Sequence, residues 1–403
     1  EQWFNAPFVD ELKLKASIGQ QGNDNIGAFA YTDLYTLTPN ASNNGMSPSF
    51  GRMGNENITW ETTTNFNAGV EFSLFKSRLT GSIDFYTKKT SDLLFWLSIP
   101  EGQGTRGYYG NLGDIRNTGI ELVLSAAVIR TKDIDWNITA NLSHNATKIL
   151  KLPASKIQDN GGFREAMEPL RILPMWYREG GPLYNAMLPD YAGVNEKGEA
   201  LYWVDANIAE GKESQIAAHE HSYTTTDYSK ASYYEQGSLL PKVFGGLSTN
   251  FRYKSFDVSM TFDYQIGGKV YDNQYAQLMQ MPITSGENWG AAIHKDWAKA
   301  WSANNTSSNI PRWQNGDNYA TSQSSRFLTN AGYFNFQSFS VGYTLPKGLI
   351  PEVSKIRVYV MGENLAFWSA RKGLDPRFSF LGSGYVGTYS PIRNISGGIQ
   401  VSF

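Results

Sequence analysis

Apolar and polar positions alternate with a period of two over much of the chain. In "DWNITANLS", Trp136, Ile138, Ala140 and Leu142 share one face, against Asp135, Asn137, Thr139, Asn141 and Ser143. In "FDVSMTFDYQ", Phe256, Val258, Met260, Phe262 and Tyr264 oppose Asp257, Ser259, Thr261, Asp263 and Gln265. "NFNAGVEFSLF" sets Phe66, Ala68, Val70, Phe72 and Leu74 against Asn67, Gly69, Glu71 and Ser73. The chain closes the same way, on "RNISGGIQVSF", with Ile395, Ile399, Val401 and Phe403 on one parity. Such alternation marks a strand with one apolar face. The runs are ~9 to 11 residues long, which is what a tilted strand needs to cross a hydrocarbon layer.

The criterion predicts ten strands, at 12–18, 66–75, 78–89, 119–130, 134–145, 243–253, 256–265, 334–344, 355–364 and 392–403. Short connections at 76–77, 131–133, 254–255 and 345–354 alternate with long ones at 19–65, 90–118, 146–242, 266–333 and 365–391. The expectation is an all-β, antiparallel transmembrane barrel, a meander with tight turns on one rim and long extracellular loops on the other. A soluble sandwich or propeller would also alternate, but its connections would not sort by length in this way. Ten strands can close a barrel. Otherwise the edge strands must pair with further chain, because an unpaired backbone group in lipid costs several kcal/mol. Ile138, Ala140, Leu142, Val258, Met260 and Phe262 are expected to face lipid.

Composition agrees with that picture. Aromatics make up 14% of the chain and charged residues 18%, against ~25% charged in typical soluble domains. No apolar run approaches the ~18 to 20 residues of a spanning helix. A net charge of -2 without a basic stripe argues against a nucleic-acid partner. The absence of cysteine removes disulfides, thiolate metal sites and cysteine nucleophiles. The sequence opens on "EQWFNAPFVD", which is neither an initiator Met nor a signal peptide, so the expectation is a processed chain or part of a longer one.

Candidate chemistry is sparse. The histidines are His144, His219, His221 and His294, and "HEH" at 219–221 lacks both the HExxH spacing and accompanying cysteines. Glu71, Asp84 and Asp263 fall at inward strand positions, where a wet lumen accepts carboxylates. "GQGTRGYYGNLG" at 102–113 lacks the GK[ST] ending of a phosphate loop. No nucleophile elbow or triad is visible, so neither an enzyme nor a cofactor is expected. Strand-end aromatics, Phe75, Trp136, Tyr253 and Phe403, suit an interfacial girdle. Those in the long loops, Trp176, Tyr177, Tyr184, Trp203, Trp289, Trp297, Trp301 and Trp313, have no lipid to explain them. Loop packing accounts for some. Trp176, Tyr177, Tyr184, Trp203, Trp289, Trp301 and Trp313 are the candidates for stacking on a substrate. "LPMWYREGGPLY" at 173–184 carries a turn at Gly180, Gly181 and Pro182.

"RFLTNAGYFNFQSFSVGYTLPKGLIPEVSKIRVYVMGENLAFWSARKGLDPRFS" followed by "YSPIRNISGGIQVSF" resembles the C-terminal end of SusC-like TonB-dependent transporters of bacterial outer membranes. "NITWETTTNFNAGVEFSLF", "IDFYTKKTSDLLF" and "GNLGDIRNTGIELVLS" resemble middle-barrel segments of the same family. The long loops at 146–242 and most of 266–333 match nothing recognisable. The resemblance implies a barrel of about 22 strands around a plug, energised by the TonB-ExbB-ExbD complex and capped by a SusD-like surface lipoprotein. It implies import of a bulky nutrient, an oligosaccharide foremost, with a peptide importer and a passive porin as alternatives. Plug, TonB-contacting segment and about twelve strands are missing from this sequence, which therefore reads as a C-terminal portion. The resemblance also makes Phe403 the signal read by the outer-membrane insertion machinery. Finally, the loops at 146–242 and 266–333 are expected to divide docking of the partner and lining of the substrate chamber between them.

Overall fold

The computed structural model describes all residues except 1–5, 41–44, 100–101, 103–106, 112, 154–156, 158–161, 167–172, 209–216, 219, 281–291, 315–319, 349 and 379–389. Ten long strands form one sheet: β1 (Val9–Asn23), β2 (Glu61–Leu74), β3 (Leu79–Ser91), β4 (Asp114–Arg130), β5 (Ile134–Lys151), β6 (Val243–Tyr253), β7 (Phe256–Ile266), β8 (Tyr333–Thr344), β9 (Lys355–Ser369) and β10 (Asn394–Ser402). Each pairs antiparallel with the next in sequence, so the sheet is a pure meander. The sheet does not close, because β1 and β10 pair with β2 and β9 but not with each other.

Strand bounds exceed the sequence expectation mainly at the long-connection end. β4 and β5 run 17 and 18 residues, and β9 runs 15. These extensions lie beyond what is needed to cross hydrocarbon, so the wall continues above it as a collar. The opposite rim is tight. Phe75, Lys76 and Ser77 all take positive φ, between 56° and 60°, a run that L residues avoid. The Asp10 carboxylate accepts a hydrogen bond from the Ser77 amide at 2.8 Å and holds the turn.

The two faces of the wall differ as the alternation predicts. The register carries Leu14, Val70, Ile83, Leu122 and Leu142 along one row. Leu14 is 77% exposed and Ile399 69%. Apolar side chains presented outward in continuous rows have lipid as their solvent. Ile138, Ala140, Leu142, Met260 and Phe262 lie in these outward rows. On the other face Lys15 Nζ stands 2.7 Å from Glu71 and 3.3 Å from Asp84. Arg357 Nε donates to Asp257 at 3.0 Å, and Asn335 donates to Asp263 at 2.6 Å. Paired charges of this kind belong to a wet interior.

One irregularity matters for the lumen. Both ladders of β8 shift register beside Gln337, between Phe336 and Ser338 on one side and opposite Thr261 and Phe262 on the other. Gln337 is the extra residue of a bulge, and bulges re-aim side chains.

Candidate functional site

The two longest connections, 152–242 and 267–332, fold into one body above the rim. The first supplies a five-stranded sheet from Gly162–Ala166, Pro174–Arg178, Asn185–Pro189, Tyr233–Ser238 and Ala217–Ala218. It also supplies a three-stranded sheet from Tyr191–Val194, Ala200–Val204 and Tyr223–Thr225. The second supplies the paired strands Lys269–Tyr271 and Leu328–Asn330 and the helix α1 (Asn273–Leu278), whose N-terminus Asp272 caps by accepting from the Tyr275 amide at 3.0 Å.

The first connection has small clusters of its own, Trp176 with Met187 and Ala200 with Tyr202 and Ala231, but the main core is shared. Leu173, Met175, Leu188 and Leu239 from the first pack with Tyr271, Met279, Trp297 and Phe327 from the second. Polar contacts reinforce the joint. The Tyr191 hydroxyl donates to the Asn309 carbonyl at 2.9 Å, and the Tyr228 hydroxyl to the Gln323 carbonyl at 2.6 Å. Burial pushes the Tyr191 hydroxyl up to about 12, so it stays a donor at any physiological pH. Arg312 reaches the Lys197 carbonyl at 3.0 Å and the Glu199 carboxylate at 3.1 Å. The Asn195 amide, followed by Arg312, holds that carboxylate below its ordinary range. Arg326 lies over the Tyr191 ring at 5.4 Å, and its Nη2 is buried without a hydrogen-bond partner. Burial pulls this guanidinium below its ordinary value. A third connection joins them: Arg371 Nε donates to Asp272 at 2.8 Å, and its guanidinium covers the Tyr275 ring at 4.4 Å.

The aromatic candidates are therefore not gathered at one place. Trp176 is 1% exposed, packed with Met187 and Tyr233, and offers no face to a ligand. Tyr177 and Tyr184 flank the shared core. Trp203 stacks on His221 at 4.7 Å, and the His221 ring in turn meets Asp190 at 2.9 Å. His221 thus has a packing role, and His219 lies outside the described residues, as does Trp289. Trp301 covers Gly198, where an added Cβ would come 2.5 Å from its ring. Trp297 is buried and meets Trp313 edge-on at 4.7 Å, leaving Trp313 46% exposed. Among the described residues no His, Cys, Asp and Glu cluster could hold a metal ion.

Beneath this roof the sequence reading missed a cavity. About 490 Å³ opens on the inner face of β5 to β8, with Asn141, Gly246, Asp263, Tyr333 and Gln337 in its lining. Gly246 leaves the inner wall bare here, between Asn141 and Asp263, whereas Gly245 falls in the outward row. A Cβ on Gly245 would stand 2.1 Å from the Asn141 carbonyl oxygen. Paired glycines in mid-strand signal close backbone approach, and the bulge at Gln337 adds an amide to the lining. The lining mixes hydroxyls and amides with the apolar Phe244, Leu247 and Phe262, and Asp263 is its one charged group among the described residues.

Comparison with known proteins places this architecture. A family model described as TonB dependent receptor-like, beta-barrel, matches residues 4–365. TonB-dependent receptor P3 of Formosa agariphila is 27% identical over 98% of this chain and 40% of its own length. TonB-dependent receptor SusC of Bacteroides thetaiotaomicron is 27% identical over 91% of this chain and 35% of its own. Among solved structures, the RagAB peptide importer in its closed-closed state superposes with a TM-score of 0.78 at 25% identity, over 99% of this chain and 42% of that one. Its open-open state gives 0.79, over 99% and 41%. The chain thus spans about two fifths of the length of these relatives. No helix among the described residues is long and apolar enough to cross a membrane, and the spanning elements are strands throughout. The chain belongs to the TonB dependent receptor-like β-barrel family of the outer membrane.

Proposed function

We propose that the protein containing this chain actively imports a bulky nutrient, foremost an oligosaccharide, across the outer membrane. A SusD-like lipoprotein would seat on the long-loop rim, and the TonB-ExbB-ExbD complex would supply the energy. The observation that carries this reading is the single folded body that two long connections build above a cavity of mixed polar and apolar lining. A passive pore has no need of an ordered roof over its lumen. An uncharged, hydroxyl-rich ligand suits such a wall, where amides, hydroxyls and one carboxylate answer its hydroxyls and Phe244 its apolar faces.

A peptide substrate is the second reading, favoured by the likeness to the RagAB peptide importer. Peptide termini bring charge, and Asp263 would answer only the cationic one. The experiment is to purify the full-length protein with its co-purifying partner and titrate it calorimetrically with glycan and peptide pools. Saturable heat with a glycan, lost on Asp263→Leu and Gln337→Ala, is expected. Saturation by peptides alone replaces the first reading with the second. Ion conductance of the purified protein in planar bilayers without any partner would favour a passive porin over both.

A further inference from the structure

The outer face of β3, β4 and β5 changes character near the long-loop rim. Along β3 the outward residues Ile83 and Phe85, 47% and 38% exposed, give way to Thr87 and then Lys89. Along β4, Ile120 gives way to Thr118 and Arg116, and along β5, Leu142 gives way to His144, Ala146 and Lys148. The ladders set Lys89 opposite Arg116 and Arg116 opposite Lys148. Three exposed cations therefore stand side by side on adjacent strands. The alternation is unbroken from the apolar band to the cations, since the register shifts of this ladder lie at Asp114 and Ile115 and at Ala127 and Ile129.

Like charges directly opposite one another across strands are destabilising. Asp114, 3.0 Å from Lys89, answers one of them. Its carboxylate is shared with the Asp92 amide at 3.4 Å and the Ser91 hydroxyl at 3.5 Å. Arg116 and Lys148 have no ion pair with a described residue. The row therefore carries an excess of positive charge that no described residue neutralises.

Its height says what could. Lys89 is four residues beyond Phe85, which is ~13 Å along a strand and ~10 Å of height at the usual barrel tilt of ~40°. The headgroup region is ~5 to 7 Å thick on each side of the hydrocarbon, so long cationic side chains rooted at that height reach it by bending down toward the membrane. Adjacent strands are ~4.8 Å apart, so one phosphate can bridge two of the three cations, with Arg116 in the middle offering its planar donor fork. We propose that Lys89, Arg116 and Lys148 form a binding row for the phosphate of a membrane-lipid headgroup in the leaflet on the long-loop side. A soluble phosphate would meet the same cations, but Phe85 and Ile120 directly below them offer a seat for acyl chains. The geometry therefore favours the lipid.

The test uses the full-length protein in detergent and native mass spectrometry. Three probes are compared: a diphosphorylated glycolipid, the same lipid stripped of phosphate, and inorganic phosphate. Each cation at a membrane surface is worth about five-fold in affinity. The variant Lys89→Gln/Arg116→Gln/Lys148→Gln should therefore retain the diphosphorylated lipid roughly 100-fold less well than the parent. Arg116→Gln alone should lose about five-fold. Lys76→Gln/Lys254→Gln, on the opposite rim, should change nothing, and the heat-dependent gel migration of a folded barrel checks each variant. Equal retention of the two lipids overturns the proposal, as does equal retention by parent and triple variant. Displacement of the lipid by inorganic phosphate, with no acyl requirement, assigns the row to a soluble anion and overturns the lipid assignment.

Discussion

At the scale of single residues, the side of the sheet a side chain faces decides its cost. Met260 lies in the outward row that includes Ile138 and Thr249, whereas its neighbour Thr261 pairs with Ser248 on the inner face. An Arg at Met260 is expected to cost ~2 to 4 kcal/mol if it sits at the membrane midplane. Thr261→Arg should cost much less, because water and Asp263 lie on its side. Urea titration of the folded barrel in lipid compares them, and equal damage would reject the assignment of faces. Gly245 makes a second case. Its missing Cβ is a requirement of the backbone, since the Asn141 carbonyl would be 2.1 Å away. Gly245→Ala should destabilise by ~1 to 3 kcal/mol through overpacking and lower the folded fraction in the same titration. Gly246→Ala meets its first neighbour at 3.2 Å and should be milder. The alternation of Met260 and Thr261 was plain in the sequence. The consequence of two adjacent glycines was not, because the close carbonyl belongs to a strand more than a hundred residues earlier.

At the scale of elements, long strands were legible and short ones were not. Period two needs several repeats to show, and β6 spans Val243–Tyr253 as expected because its neighbours alternate cleanly throughout. β8 holds a signal that alternation alone passes over. Phe334 and Phe336 share one parity, whereas Phe339, Val341 and Tyr343 share the other, and the slip marks the bulge at Gln337. In the two longest connections, strands of two to six residues carry too little period to read. Their core depends on contacts such as Tyr191 to Asn309, which are 118 residues apart. That is why excision of 190–236, attractive from sequence as a clean removal of one loop, should also remove Tyr191 and Tyr228 and with them the hydrogen bonds to Asn309 and Gln323 of the second connection. A gentler probe is Leu188→Ala or Met279→Ala, each expected to cost ~2 to 5 kcal/mol of local stability. Both should raise amide hydrogen exchange in both connections together while leaving β5 to β8 protected. Faster exchange in one connection only would show that the two are independent.

At the scale of the whole molecule, an open wall of ten strands has two edges that hydrocarbon does not tolerate unpaired. The ends of β1 and β10 must meet other strands in the membrane, in keeping with relatives more than twice as long. The last strand carries Ile395, Ile399 and Val401 outward and ends on Phe403, which is 90% exposed. Deletion of Phe403 should lower the amount of folded protein in the outer membrane without changing synthesis, as measured by surface labelling against total protein. Unchanged surface levels would make that ending incidental. Above the wall, the joint at Arg371 and Asp272 ties a third connection to the second, which shares its core with the first. The roof therefore cannot open by peeling back one loop. A movement that admits cargo carries the packed parts of the three together, and at the root of the second connection Gly267 and Gly268 stand at positive φ beside the end of β7, where the backbone can bend.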